Sequence, residues 1–354
     1  MFAGIGRTCP PAVYIPALVL NTGTQGRSQK PGRGQFMLKS LAAIAAFFLL
    51  PVSHASAFGS IGSLGQAAEH ERITYLALKR EGLGPGTLEE LAGTTGRMGA
   101  VGAPDSPERG LMNVSSSHCD NGDHLAVSGY PQSEKQAVAA LEACRSFIFR
   151  ALRDAVKKAG RIADGNGRVN TMEIPSFVPC TYNGQPGRAK CEVLDALGLA
   201  FHAAQDFYSH SNWVDIPANG PIGEDNPEGL GQNGPAPWLD PAVRAPFPAG
   251  LISGCFQGKP ERALCRYGSS GERIRHKALN KDVGLIDPRS GRIGKGGSPR
   301  GAINGNFGRA VKAAIDDTRN KWRYFTASLI AQYGNFRGNA IVCAMKNDDE
   351  NACR

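Results

Sequence analysis

Apolar residues fall at helical spacing along four stretches of the chain. Val138, Leu141, Phe147, Ile148, Leu152 and Val156 predict a helix over 133–163, with Ser133 and Gln136 as a capping box at its start. Val311, Ala314, Ile315, Thr318, Trp322, Phe325 and Leu329 predict another over 309–332, ended by Gly334. Ile73, Leu76 and Ala77 mark a third over 66–79, ended near Gly82. The fourth runs into 194–215, where Leu194, Leu197, Ala200, Ala204 and Phe207 can cover neighbouring faces. Residues 93–117, 216–250 and 284–308 are rich in Gly, Pro and polar residues and read as irregular loops. The pattern predicts a mostly α-helical domain with long irregular connections.

The fourth stretch, LDALGLAFHAAQDFYSHSNWVD, also carries His202, Asp206 and His210 at steps of four. Each step advances about 400°, so the three lie on one stripe that drifts only about 40° per turn. A buried carboxylate needs a cationic partner, and the stretch holds no Lys or Arg. Two imidazoles and a carboxylate therefore favour a zinc-like ion over satisfied core histidines. The remaining candidates are weaker one by one. His70 opens a text like that of a zinc protease, but Thr74 replaces the second histidine, which argues against that class. Asp105 sits between Pro104 and Pro107, as a turn residue would. His118, Asp120, Asp123 and His124 cluster around an Asn121-Gly122 turn, either as ligands or as a solvated turn. His276 alone reads as a solvated histidine on a basic helix, followed by Asn280 and Asp282. Residues 164–168 resemble a calcium loop, but Arg168 and Val169 stand where a ligand and the turn glycine belong.

The start of the chain changes the compartment. Residues 1–36 show no helical or strand period and are expected to be an untranslated or disordered extension. Residues 37–57 hold Lys39, an apolar run over 41–50 and Ala55-Ser56-Ala57, the pattern of a secretory signal peptide. The run is too short for a comfortable membrane span. A mature domain over 58–354, starting at Phe58, is expected in the periplasm or outside the cell, with no transmembrane anchor. Residues 1–57 carry five basic and no acidic residues, so the formal charge falls from +9 to +4. That balance helps an approach to phosphates or anionic lipid without marking a nucleic-acid binder. Eight of nine cysteines lie in the mature part, an even count that implies disulfides in an exported chain. Short loops favour Cys180–Cys191, Cys255–Cys265 and Cys343–Cys353, leaving Cys119–Cys144.

Taken together, His70, Asp105, His118, His202, Asp206, His210 and His276 resemble in order and spacing the zinc-dependent phospholipase C and S1/P1 nuclease superfamily. The text AQDFYSHSNWVD is similar to its Het-C and CinY-type branch. The resemblance implies a mostly α-helical phospholipase C/P1 nuclease-like fold that binds up to three zinc ions. It implies that Asp105, His118, His202 and Asp206 serve one ion. His210, His276 and a further oxygen ligand would serve a second. His70, Asp206 as a bridge, and the amine and carbonyl of Phe58 would serve a third. Asp206 and Asp105 would carry the catalytic role, and signal cleavage at Phe58 would belong to site assembly. The chain departs from the phospholipases and nucleases in its short Asp206-x3-His210 interval and its long interval to His276. It also departs in having Asn280 where they place a carboxylate, with Asp282 as the substitute. The implied function is a secreted zinc-dependent hydrolase of a phospholipid or nucleic-acid phosphodiester. The alternative is a non-catalytic secreted interaction protein with a degenerate or structural zinc. Phe207, Tyr208 and Trp213 are either stacking platforms for bases or core.

Overall fold

The computed structural model describes residues 59–60, 68–94, 97–175, 179–267, 271–349 and 351–353, all within the compact unit Ser53–Arg354. The expected signal peptide and Phe58 lie outside the described residues. The protein is mostly α-helical. In chain order the helices are α1 (Glu69–Leu78), α2 (Pro85–Ala92), α3 (Ser115–His118), α4 (Glu134–Ala159), α5 (Ala189–His210), α6 (Glu261–Leu264), α7 (His276–Leu279) and α8 (Asn306–Lys346). Strand, among the described residues, is confined to three short antiparallel hairpins. Gly93–Thr94 (β1) pairs with Arg97–Met98 (β2), Arg266–Tyr267 (β3) with Gly271–Glu272 (β4), and Gly284–Ile286 (β5) with Ile293–Gly296 (β6). No described helix is long and apolar enough to cross a membrane.

Helix α5 is the axis of the fold. Apart from Glu192 and Leu199 every residue on it is buried, so it is covered on all sides rather than along one stripe. Helices α4 and α8 pack against it, and α1 packs on α8. Helix α4 begins with the expected capping box at Ser133 and Gln136. It ends at Ala159, four residues before the expected end, where Tyr333 of α8 crosses it. A Cβ on Gly160 would stand 2.6 Å from the Tyr333 hydroxyl, which donates to the Val156 carbonyl.

Helix α8 starts at Asn306, three residues earlier than expected. Gly334, at φ 77° and ψ 166°, breaks it where its end was expected, and a second helical arm follows to Lys346. The second arm has its own apolar face, with Ile341, Ala344 and Met345 buried in the main core. Residues 216–250 are irregular, as expected, but they are more than a surface excursion. Trp238 and Leu239 insert into the core. Their turn is pinned by the Ala236 N–H donating to the Tyr208 hydroxyl and by Lys321 Nζ donating to the Leu239 carbonyl. Lys321 is itself neutralised by buried Asp317 at 2.6 Å. Asp164, at the loop discounted for calcium, spends its carboxylate on the N–H groups of Asn166 and Arg168.

The eight cysteines pair as the loop lengths suggest. Cys119–Cys144, Cys180–Cys191, Cys255–Cys265 and Cys343–Cys353 have Cα separations of 5.0, 5.3, 5.9 and 5.8 Å, inside the disulfide range. Gly198 fixes what lies over the middle of α5. A Cβ there would stand 2.3 Å from the Ala100 carbonyl oxygen, so only glycine lets the 3-10 turn Ala100–Asp105 lie flush on the helix. That close approach delivers the Val101 carbonyl and the Asp105 carboxylate to the same face as His202.

Candidate metal centre

The stripe on α5 is wholly inside the protein, with His202 and Asp206 at 0% exposure and His210 at 1%. Asp206 stands at its middle and divides its two oxygens. Oδ1 lies 3.1 Å from His70 Nε2 on α1. Oδ2 lies 2.9 Å from His118 Nδ1 on α3 and 3.1 Å from His202 Nε2. His118 Nδ1 and His202 Nε2 are 3.1 Å apart. Asp105 Oδ1 closes the group at 3.7 Å from His202 Nε2 and 4.0 Å from His118 Nδ1. Four tetrahedral ligands at zinc distances stand about 3.3 Å from one another, and these separations run from 2.9 to 4.0 Å.

The far side of each ring decides which nitrogen faces inward. His202 Nδ1 lies 2.9 Å from the Val101 carbonyl, and His118 Nε2 lies 3.2 Å from the Leu111 carbonyl. His210 Nδ1 lies 3.0 Å from the His118 carbonyl. His70 Nδ1 lies 2.7 Å from Gln205 Oε1. The Gln205 amide is oriented by its Nε2, which donates to Thr74 Oγ1 and Thr318 Oγ1. Every one of these partners is an oxygen acceptor, so the outer nitrogen carries the proton. In a neutral ring the inner nitrogen then presents a lone pair toward a carboxylate. Lone pairs and anions converging in a buried space call for a cation among them, and this backing of each imidazole by an oxygen is the usual support of metal-bound histidine. Asp206 Oδ1 is buried and accepts no hydrogen bond among the described residues. The donor set, nitrogen with carboxylate oxygen, fits a zinc-like ion.

Gln205→Leu is expected to lower metal affinity about 10- to 100-fold while leaving the thermal transition cooperative. A chelator-competition titration reads this directly. Unchanged affinity would mean that the amide does not orient His70.

A second group forms where α5 ends. Asp120, His210 and His276 bring ligand atoms within 4.8 Å of one another. The His210 and His276 rings meet edge to face, 4.1 Å between centroids. Asp120 Oδ1 lies 3.1 Å from His210 Nδ1. Asp282 joins from the other side, with Oδ1 3.3 Å from His210 Nε2 and Oδ2 3.8 Å from His276 Nε2. Its Oδ1 also accepts from the Ser209 hydroxyl, whereas the buried Oδ2 accepts nothing among the described residues. Asn280 is not part of the group. Helix α7 stops after four residues, the backbone at Asn280 turns extended, and its side chain accepts the Asp282 N–H at 2.7 Å. That turn carries Asp282 to the position.

The polar cluster around Asn121 splits by role. Cys119 and Asn121 both adopt left-handed backbone, with φ 55° and 65°. Asn121 is tied down by its own side chain, which donates to Ser115 Oγ and the Phe256 carbonyl. The resulting reversal sends His118 into the first group and Asp120 into the second. Asp123 instead forms an ion pair with Arg273, and His124 turns to the Gln132 carbonyl. Two neighbours have no counterpart among the residues singled out from the sequence. Glu261 Oε1 lies 3.5 Å from His276 Nδ1, and the Ser60 hydroxyl donates to Asp105 Oδ2. Gly59 runs beside them, its carbonyl accepting the His70 N–H at 3.2 Å. The expected ligand Phe58 lies outside the described residues. Phe207, Tyr208 and Trp213 are buried in the core, which removes them as stacking platforms.

Protons and metal compete for this centre. Burial would raise the Asp206 carboxyl, but His202, His210, His70 and His118 outweigh it and hold Asp206 well below the usual carboxylate range. Burial also opposes protonation of His118, yet Asp206, Asp105 and Asp120 push it up to about 9. His210 is raised well above its ordinary value against its own burial, by Asp120, Asp206 and Asp282. His202 moves the other way, lowered by burial, with His70 adding to it. Comparison with protein-family models, with curated proteins and with solved structures found no match.

Proposed function

We propose that the chain is an exported zinc-dependent phosphoesterase that hydrolyses a phosphodiester, of phospholipid or nucleic acid. One observation carries the reading: a single buried carboxylate, Asp206, is shared between imidazoles on its two oxygens, with a second histidine–carboxylate group one helical turn away. Sharing of this kind suits neighbouring ions rather than one isolated structural ion. The resemblance of the His70 to His276 set to the zinc-dependent phospholipase C and S1/P1 nuclease superfamily points to the same chemistry. Four disulfides fit an oxidising compartment outside the cytosol.

The residues divide the work by position. Asp105, His118, His202 and Asp206 would hold one ion. His210, His276, Asp120 and Asp282 would hold another, and His70 with the second oxygen of Asp206 would contribute to a third. Zinc bound there lowers the pKa of water and neutralises phosphoryl oxygens. The backing carbonyls of Val101, Leu111 and His118 keep the rings fixed, so no reorientation accompanies reaction. Asp105 is the most exposed carboxylate of the first group, at 23%. Its Oδ2 accepts from the Ser60 hydroxyl, which would keep Oδ1 turned to the ion as a ligand.

The test is metal content by elemental analysis of the purified exported protein, followed by assay on a chromogenic phosphodiester. Two or three zinc ions per chain with hydrolysis are expected. One ion and no hydrolysis would favour the non-catalytic interaction protein, and none in folded protein would remove the metal argument.

A further inference from the structure

The chain around His276 holds a second feature that the metal centre does not use. Arg275 and Lys277 flank His276, about 3.8 Å of backbone away on either side, and both line a cleft of about 350 Å³. Arg300 also lines it. Asp225 is the one carboxylate among the lining residues. The cations differ in availability. Arg300 is immobilised by buried Asp215 at 2.8 Å and by Asn226 and the Pro227 carbonyl, so it is a fixed part of the wall. Lys277 is exposed and forms no ion pair among the described residues. Arg275 has only 14% of its side chain exposed and a buried Nε that donates to nothing among the described residues. Its Nη2 rests on Asp225, 2.5 Å away, and more loosely on Glu272 at 3.4 Å. Asp225 is 78% exposed, and a pair with so exposed a partner is weak, so an incoming anion can displace it.

The rest of the lining is largely apolar, from Ala218, Ala278, Pro299 and Ile303. We propose that this cleft is a binding site for an organic phosphate, with the phosphate on Arg275 and Lys277 and a small apolar group against Pro299 and Ile303. Guanidinium and ammonium donors suit a phosphate through charge-assisted hydrogen bonds. The volume is at the small end for ligand sites, enough for one compact group and too little for a pair of acyl chains. The site is distinct from the metal centre and stands whether or not that centre hydrolyses phosphate esters. Its phosphate could be a second one on a substrate or a free one in the medium, which share the same chemistry.

Calorimetric titration with inorganic phosphate and with phenyl phosphate tests it, in wild-type protein and in an Asp206→Asn background that weakens binding at the metal centre. Phenyl phosphate is expected to bind in both proteins, more tightly than inorganic phosphate. Lys277→Gln is expected to weaken it at least about fivefold, with Lys277→Arg restoring it. Affinity in the unsubstituted protein is expected to fall with added salt. Binding unchanged by Lys277→Gln would overturn the site. Equal affinity for the two ligands would overturn the apolar half and leave a site for free phosphate. If wild type and Asp206→Asn bind alike while Lys277→Gln abolishes binding, the cleft stands by itself, and a loss of metal content in Asp206→Asn decides the metal reading separately.

Discussion

Asp206→Asn is expected to leave the chain folded and to strip the first centre of metal. The substitution keeps shape and removes one charge. It takes the one carboxylate that, among the described residues, lies 2.9–3.1 Å from His70, His118 and His202, so ions on either of its oxygens lose a shared ligand. The group of Asp120, His210, His276 and Asp282 does not depend on that contact. Metal content is therefore expected to fall to at most one ion per chain, not to zero. Phosphodiester hydrolysis should drop at least about 10²–10³-fold, the scale of losing one preorganised electrostatic element of a site. Asp123→Asn is the contrast. That carboxylate is equally buried but bound to Arg273 and Tyr130, so its loss should lower the melting temperature and leave metal content unchanged. Full metal occupancy or full activity in Asp206→Asn would show that the stripe is a core hydrogen-bond network and not a centre.

The sequence carried the stripe because one helix carries it: a period of four survives whatever packs around it. It carried α4 and the first arm of α8 for the same reason, and it placed Gly334 as a break. The second arm of α8 was missed because a helix can resume after a glycine at a positive φ, and whether it does rests on whether Ile341 and Met345 find a core. The four-residue helices α3, α6 and α7 have no period to read. Whether His118, Asp120, Asp123 or His124 enters the site depends on left-handed turns at Cys119 and Asn121, for which Asn121-Gly122 was the only signal. Glu261 left no signal at all, since it reaches His276 through a loop closed by Cys255–Cys265. Phe207, Tyr208 and Trp213 were ambiguous because a helix buried on every side cannot be told from one with an aromatic binding face until its neighbours are known.

Metal-free protein is expected to lose stability as pH rises from about 6.5 to about 9, and metal-loaded protein to pull away from it over that range. The sign follows from His118. Burial opposes its charge, but Asp206, Asp105 and Asp120 raise it to about 9 in the folded chain, against about 6.5 unfolded. A raised histidine contributes stability that is fully present below its unfolded pKa and is lost as pH passes through the folded one. At about 1.4 kcal/mol per pKa unit the loss is on the order of 3 kcal/mol. His70 and His210 are raised too, both against burial, by Asp206 and by Asp120 respectively, and add in the same direction. His202, lowered by burial and by His70, opposes them and costs stability on the acid side. Asp206 sets the lower limit, because its depressed carboxyl contributes above about 3.9 and that contribution disappears as pH falls through its folded value. The metal-free optimum should then lie between about 4 and about 6.5. Zinc needs the inner nitrogens unprotonated, so its affinity rises over the interval in which the protons leave. Thermal unfolding with and without chelator, at several values from about pH 5.5 to 9, should show the two melting temperatures diverging toward the alkaline end. Parallel curves, or a metal-free protein most stable near pH 9, would mean that these histidines hold neither protons nor metal, since the two compete for the same lone pairs.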